Sequence, residues 1–291
     1  MEFRVLQYFL AVAREESVSG AAEYLHLSQP TLSRQLKDLE EELGKQLFIR
    51  GNRKITLTEE GMLLRKRAEE IVDLMKKTEN ELTQSDESIF GDIYIGAGES
   101  DGNRLLAQIV SELNQTYPDI HLHISSGNAN FVMEQLDKGL IDFGLIYGSV
   151  DYSKYEVLNL PFSDTFGVLM RSDSELAKKE FITADDLIDK PLIISAQEQV
   201  ENHPSLLWIT SDISKLNVVA TYTLIFNGSL MVEEGLGYAI CFDKLINTNG
   251  TNLCFRPLNP SATITAHIIY KKYQIFSKPA QKFLEKLQEL Q

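Results

Sequence analysis

Between Ser28 and Lys54 the chain gathers side chains whose chemistry suits the grooves of a nucleic acid duplex. Gln29 can hydrogen-bond an adenine edge, and Arg34 can fork onto guanine O6 and N7. Thr31 and Ser33 are short hydroxyl donors matched to phosphate or sugar, and Pro30 suits a thymine methyl or a sugar edge. Lys37 flanks Arg34. Arg50, Arg53 and Lys54 cluster a little further on, where they would hold phosphates or enter the minor groove and add affinity more than sequence discrimination.

Other constellations suggest different chemistry and carry less. Gly98-x-Ser100-x-Gly102 fits the nucleophile elbow of hydrolases, with His267 downstream and Asp142 or Asp164 to complete a Ser, Asp, His order. That elbow needs several strands before it, and here a long helical stretch precedes it. Two cysteines, Cys241 and Cys254, cannot build a disulfide framework or a zinc site by themselves. Cys241 sits in the apolar run GYAICF, where a buried thiol is inert, and Arg256 is the basic neighbour of Cys254. The five histidines show no metal spacing. The expectation is a binding protein, not an enzyme, with neither metal nor cofactor.

The elements that must position the basic cluster are legible. Phe3, Leu6, Leu10 and Ala13 recur at helical spacing. Ser17 and Ser19 offer N-cap oxygens to a short second helix, AAEYLHL. Ser28 caps a third helix with Pro30 in its first turn, where a missing N–H costs nothing. Leu32, Leu36, Leu39 and Leu43 form one stripe, and at about 100° per residue Arg34 points almost opposite it. Gly44 ends this helix. QLFIR and KITLT follow as two short strands around Gly51-Asn52-Arg53, a hairpin. Two helices across a tight turn followed by a basic hairpin make a winged helix-turn-helix.

Charge sharpens the case. The 291 residues carry 28 Lys and Arg against 42 Asp and Glu, a formal net charge of −14. Such a molecule repels nucleic acid as a whole, so any grip must be local. Residues 1–58 are net neutral, with six of eight basic side chains between Arg34 and Lys54. No apolar run approaches the ~18 residues of a membrane span, and the opening MEFRVLQYFLAVAREES lacks the marks of a secretory signal. The expected location is cytoplasmic, without membrane contact.

The stretch AAEYLHLSQPTLSRQLKDLEEELGKQLFIRGNRKITLTEEG resembles, along its whole length, the N-terminal signature of LysR-type transcriptional regulators. It holds the S-Q-P-x-L-S-R core from Ser28 to Arg34, then L-E-x-x-L-G, L-F-x-R, and L-T-x-x-G closing at Gly61. The resemblance implies a winged helix-turn-helix that binds a double-stranded DNA operator. After it, Leu57, Gly61, Leu64, Ala68, Ile71, Met75, Thr78 and Leu82 alternate spacings of four and three, a coiled-coil seam. Family members dimerise through a linker helix here and commonly form tetramers, so self-association through this helix and the C-terminal domain is implied. The expected division is 1–58 for DNA binding, 59–88 for the linker and 89–291 for effector binding.

Beyond residue 90, short β-type runs (DIYIGA, HLHISS, DFGLIYG, EVLNLPF, FGVLMR, PLIIS, LNVVATY, GYAICF, ITAHIIY) alternate with amphipathic stretches, an α/β fold of mostly parallel strands. G-x-I-x-I-G at Gly91 to Gly96, L-x-x-G-x-I-D-F-G at Leu136 to Gly144 and V-x-x-G-L-G-Y-A-I at Val232 to Ile240 resemble the family's effector domain. That domain is similar to periplasmic solute-binding proteins of type 2, with two α/β lobes crossed by two strands around a ligand cleft. Lobe one is expected over 91–161 plus 267–291 and lobe two over 162–266. Ligands in open α/β sheets sit at the carboxyl ends of strands. The candidate effector contacts are therefore Glu99, Ser100, Asp101, Ser126, Gly127 and Asn128, with Ser195, Ala196 and Asn227 from lobe two. Glu99 and Asp101 depart from an anion site, which points to a small-molecule effector that is neutral or cationic, or to an anion held by basic groups elsewhere. Peroxide-sensing relatives use a cysteine pair in lobe two, a role for which Cys241 and Cys254 are poorly placed.

Overall fold

In the computed structural model, which describes residues 1–51, 54–82, 89–147, 153–196 and 204–290, the chain divides into two units, Met1–Thr83 and Gln84–Gln291. The first opens with α1 (Phe3–Glu15), α2 (Val18–Tyr24) and α3 (Gln29–Leu43), then β1 (Phe48–Arg50), β2 (Ile55–Leu57) and α4 (Glu59–Leu82). Ser17 Oγ accepts from Gly20 N to start α2, and Gly44 takes the left-handed conformation that ends α3. Val5, Leu6, Phe9 and Val12 of α1 close over Ala21 and Ala22 of α2 and over Leu32, Leu36 and Leu39 of α3. Phe9 is fully buried against Phe48, with ring centroids 5.1 Å apart, which ties the hairpin to the helices.

The stripe along α4 serves two purposes. Leu57, Gly61, Leu64 and Ala68 face the core of the first unit, joined by Val72, which lies off the expected seam. Ile71, Met75, Thr78 and Leu82 are exposed. The expectation of one continuous seam is corrected accordingly, because a helix that follows a wing is held by the wing's own core before it is free to meet a partner. Residues 83–88, the end of the expected linker, lie outside the described residues.

The second unit runs β3 (Gly91–Ala97), α5 (Asn103–Thr116), β4 (Ile120–Ser126), α6 (Ala129–Asp137), β5 (Phe143–Tyr147) and β6 (Tyr155–Arg171). It continues with β7 (Leu192–Ser195), α7 (Pro204–Ile209), β8 (Val218–Tyr222), α8 (Ile225–Glu233), β9 (Tyr238–Phe242), β10 (Leu253–Pro257), β11 (Thr263–Lys271) and α9 (Lys278–Gln288). Hydrogen-bonded neighbours follow the order β4-β3-β5-β11-β6-β9-β7-β8, with β10 on β6. Each lobe has a parallel trio, β4-β3-β5 in one and β8-β7-β9 in the other. The pairings of β6 and β11 with each other and with their neighbours are antiparallel, so the sheet is mixed and not mostly parallel.

EVLNLPF and FGVLMR are one strand, β6. Its first half pairs β11 within lobe one, and its second half pairs β9 and β10 in lobe two. Pro161 is tolerated at its middle because the β6–β11 register is broken there, between the Thr265↔Ser163 and His267↔Asn159 pairs. The lobe-one core gathers Ile93, Ile95, Phe143, Leu145, Ile268 and Phe283, all fully buried. Lobe two has apolar cores on both faces of its sheet, one around Ile194 and Ile240 and one around Ile193 and Ala239.

Candidate functional site

In the first unit, the apolar stripe of α3 settles where its polar face goes. With Leu32, Leu36 and Leu39 buried, Gln29, Pro30, Thr31, Arg34 and Lys37 are exposed, and Ser33 is half-buried. Ser28 Oγ accepts from Thr31 N at 3.3 Å, and Gln29 Nε2 donates to Ser33 Oγ at 3.3 Å. Arg34 is 82% exposed and lies 3.8 Å from Asp38, while Lys37 lies 3.2 Å from Glu41. Exposed i,i+4 pairs of this kind are worth about 0.3–0.5 kcal/mol, so either cation can exchange its partner for phosphate or base at little cost.

The wing is positioned by a residue that chemical inspection of the sequence passes over. Glu40 Oε1 accepts from Leu47 N at 2.7 Å and from Phe48 N at 3.2 Å, joining the last turn of α3 to β1. Thr58 adds a second tie, donating its hydroxyl to Gln46 O at 2.8 Å. The L-E-x-x-L-G signature carried the signal for Glu40, although a carboxylate in a charged run reads as solvated. Lys54 is exposed and pairs with Glu16, the C-cap of α1, at 3.0 Å. Arg50 ends β1, and Arg53 lies outside the described residues.

In the second unit, a cavity of about 110 Å³ opens between the lobes. Of the expected effector contacts, Glu99, Gly127 and Ser195 line it. Asn128 is occupied as the N-cap of α6, accepting from Phe131 N at 2.8 Å. Ala196 N donates to Tyr222 O at 2.7 Å. Ser126 and Asn227 are exposed and do not line the cavity. Asp101 instead borders a second recess of about 330 Å³ together with Arg104, Asp164 and Lys244. The wall that sequence reasoning missed comes from Tyr147, Phe166, Tyr222, Thr223, Ile225 and Phe242. Tyr147, Tyr222 and Phe242 stand at strand ends as the topological rule requires, but aromatic side chains there read as core.

Polar contacts cross from lobe to lobe. Glu99 Oε2 accepts from Ile225 N, the first residue of α8, at 2.6 Å. Lys244 Nζ stands 3.7 Å from Asp101 Oδ2.

Ser100 is buried behind this wall, where its Oγ accepts from Gly102 N at 3.1 Å. The hydrolase constellation is not assembled. His267 Nδ1 meets Asn159 Oδ1 at 2.8 Å, Asp142 accepts from Tyr94 N at 2.8 Å, and Asp164 accepts from the Tyr147 hydroxyl. Burial raises the pKa of the Asp164 carboxyl, and burial followed by the bond to Asp164 raises that of Tyr147. His123 and His121 both approach Asp92, at 3.0 and 3.8 Å. Among the described residues no group of three His, Cys, Asp or Glu side chains converges on one point to hold a metal ion, and no helix is long and apolar enough to cross a membrane.

Residues 3–62 match the family model described as a bacterial regulatory helix-turn-helix protein of the lysR family, and residues 87–291 match the LysR substrate binding domain. The chain belongs to the LysR family. A hydrogen peroxide-inducible genes activator of Pectobacterium carotovorum is 29% identical over 194 residues, which is 67% of this chain and 64% of that protein. The DNA-binding transcriptional dual regulator OxyR of Escherichia coli is 31% identical over 194 residues, 67% of this chain and 63% of its own. The alignments thus span less than two thirds of these two relatives. HcaR, the hca operon transcriptional activator of E. coli, is 29% identical over 296 residues, 99% of this chain and 98% of its own. Among solved structures, full-length CbnR in complex with its target DNA has the same fold, with a TM-score of 0.80 at 18% identity over 100% of both chains.

The thiols of this LysR-family chain do not meet. Cys241 on β9 faces Gly167 across one edge of β6, and Cys254 on β10 faces Met170 across the other. Two strand spacings and three residues along β6 put their Cα atoms roughly 14 Å apart. A disulfide needs less than about 7 Å. Cys241 is buried, and burial raises the pKa of the Cys254 thiol despite the opposing charge of Arg256.

Proposed function

We propose that the chain is a sequence-specific, DNA-binding transcriptional regulator of the cytoplasm whose DNA binding or bending is set by a small molecule in the cleft between its C-terminal lobes. Residues 1–58 read the operator, 59–88 link and dimerise, and 89–291 sense, with lobe one at 91–161 plus 267–291 and lobe two at 162–266. Gln29, Pro30, Thr31, Ser33, Arg34 and Lys37 face the major groove and its backbone. Arg50, Arg53 and Lys54 hold phosphates or the minor groove. The observation that carries this reading is the outward polar face of α3, capped by Ser28 and braced to a basic wing by Glu40, on a molecule that is otherwise acidic. The DNA complex of CbnR, which has this fold, supports it.

Two copies would present two α3 helices to half-sites one helical turn or more apart. The exposed half of the α4 stripe is where they would join, and a tetramer would add contacts between effector domains. Effector binding favours one arrangement of the lobes and biases the assembly toward one bend of the DNA. The test is selection of fragments bound by the purified protein from the organism's own DNA, followed by footprinting. Enrichment of a few sites with two protected half-sites is the expected result. Uniform retention of all fragments, or of none at modest ionic strength, would overturn the proposal.

A further inference from the structure

The contact between Glu99 and Ile225 defines what the cleft can accept. The first N–H groups of a helix have no partner inside it, and together with the helix dipole they make a ready anion site. At α8 that site has no side-chain cap of its own, since Leu224 stands at the N-cap. A carboxylate from the opposite lobe fills it instead, with Glu99 Oε2 taking Ile225 N at 2.6 Å. Among the described residues lining the cavity there is no Lys, Arg or His, and the rest of its wall is apolar apart from hydroxyls and a thiol, Ser195, Thr223, Tyr147, Tyr222 and Cys241. An anionic ligand would meet the Glu99 carboxylate with no lining cation to offset it. The volume of about 110 Å³ is somewhat below the ~150 Å³ that admits a benzene ring.

We propose that Glu99 is a built-in carboxylate that occupies the anion subsite of α8, so that the cleft selects a compact, uncharged and largely apolar effector with one polar group directed at Ser195 or Thr223. The proposal rests on the cleft's being the effector site and names the class of molecule it takes. Glu99 is then the residue that sets specificity, and it links the lobes in the absence of ligand.

The test uses three isosteric probes, propionamide, propionate and propylammonium, with the full-length protein followed by thermal unfolding. At ten times its dissociation constant a binding probe raises the melting temperature of a domain this size by about 3 °C or more. Propionamide should stabilise the parent protein, and propionate should leave it unchanged. In Glu99→Ala the vacated Ile225 N–H can donate to an external carboxylate, so propionate should stabilise the variant and recover part of the loss caused by the substitution. If Glu99→Ala fails to fold, Glu99→Gln keeps an acceptor for Ile225 N without the charge. Its propionate affinity should exceed the parent's at least tenfold. Stabilisation of the parent by propionate, or a Glu99→Ala variant that folds and ignores it, would overturn the inference and leave the cleft as an effector site. A parent that answers to propylammonium alone would make Glu99 a direct counter-ion and overturn it as well. Silence of the parent and both variants toward all three probes would remove the cleft reading itself, and the inference with it.

Discussion

The hydroxyl of Tyr147, at the carboxyl end of β5, donates to the carboxylate of Asp164 on the strand that passes from one lobe to the other. Burial raises the pKa of the Asp164 carboxyl against the opposing effect of the Tyr147 hydrogen bond, so the folded chain holds that proton to higher pH than the unfolded chain does. The sign follows from linkage. The stability this group contributes is fully present below the ordinary carboxylate pKa and is lost as pH rises through the raised one. Asp164→Asn keeps an acceptor for Tyr147 and removes the charge. Its urea midpoint at pH 7 should equal or exceed the parent's, and the parent's relative loss should develop above about pH 4. Identical pH profiles for the two proteins would show that Asp164 does not titrate differently on folding.

Gly61, which closes the L-T-x-x-G motif, is required by space. A Cβ there would stand 2.2 Å from the carbonyl oxygen of Leu47 and 3.1 Å from its carbon, both backbone atoms that cannot turn aside. Gly61→Ala should destabilise the first unit by about 1–3 kcal/mol, toward the upper end because backbone must shift. Differential scanning of the full chain should show an earlier transition for that unit. Operator affinity should fall with the folded fraction and recover at lower temperature. A normal transition with abolished DNA binding would instead place Gly61 at the DNA.

The N-terminal unit was legible because each of its decisions is local. Ser28 and Gly44 bracket α3, the leucine stripe turns Arg34 outward, and a two-strand wing needs only a few residues to declare itself. The cleft was less so, because it is assembled from residues far apart in the chain. Glu99 and Ser195 follow from the strand-end rule, whereas Thr223 and Ile225 enter only because α8 begins facing the opposite lobe. The carboxylate at Glu99 is plain in the sequence, but its partner lies 126 positions away and no spacing could name it. β6 read as two strands because the polar Ser163-Asp164-Thr165 separates the apolar runs EVLNLPF and FGVLMR.

The exposed half of α4 makes the dimer testable separately from the fold. Ile71 and Met75 are about 40% exposed and one helical turn apart, and neither belongs to the core of the first unit. A pair of aspartates at these positions would place charge in the proposed seam, where it must be desolvated or leave the partner helix. Sedimentation of Ile71→Asp/Met75→Asp should show a shift toward monomer with at least tenfold weaker association, and half-site DNA should be bound in place of full sites. An Ala68→Asp variant, by contrast, should fail to fold, because Ala68 is fully buried in its own unit. Unchanged assembly in the double variant would move the interface elsewhere.

Arg34 and Arg53 should fail in different ways when truncated. Arg34 projects from the polar face of α3 with 82% of its side chain exposed and only a loose pair with Asp38, which leaves its guanidinium available for the bidentate fork that guanine presents. Removing one such fork costs about 1–3 kcal/mol of discrimination at a single base position. Arg34→Ala should therefore bind the operator more weakly while retaining most of its affinity for unrelated duplex. On the proposed reading Arg53, which falls between β1 and β2 in the chain, meets phosphate regardless of sequence. Arg53→Ala should weaken operator and unrelated DNA by similar factors and flatten the slope of log affinity against log salt by about 0.9 for each phosphate no longer neutralised. Titrations of both variants on operator and scrambled duplex at three salt concentrations separate the two roles. Parallel weakening on both duplexes, with matching salt slopes, would mean that α3 holds the backbone and that sequence is read elsewhere.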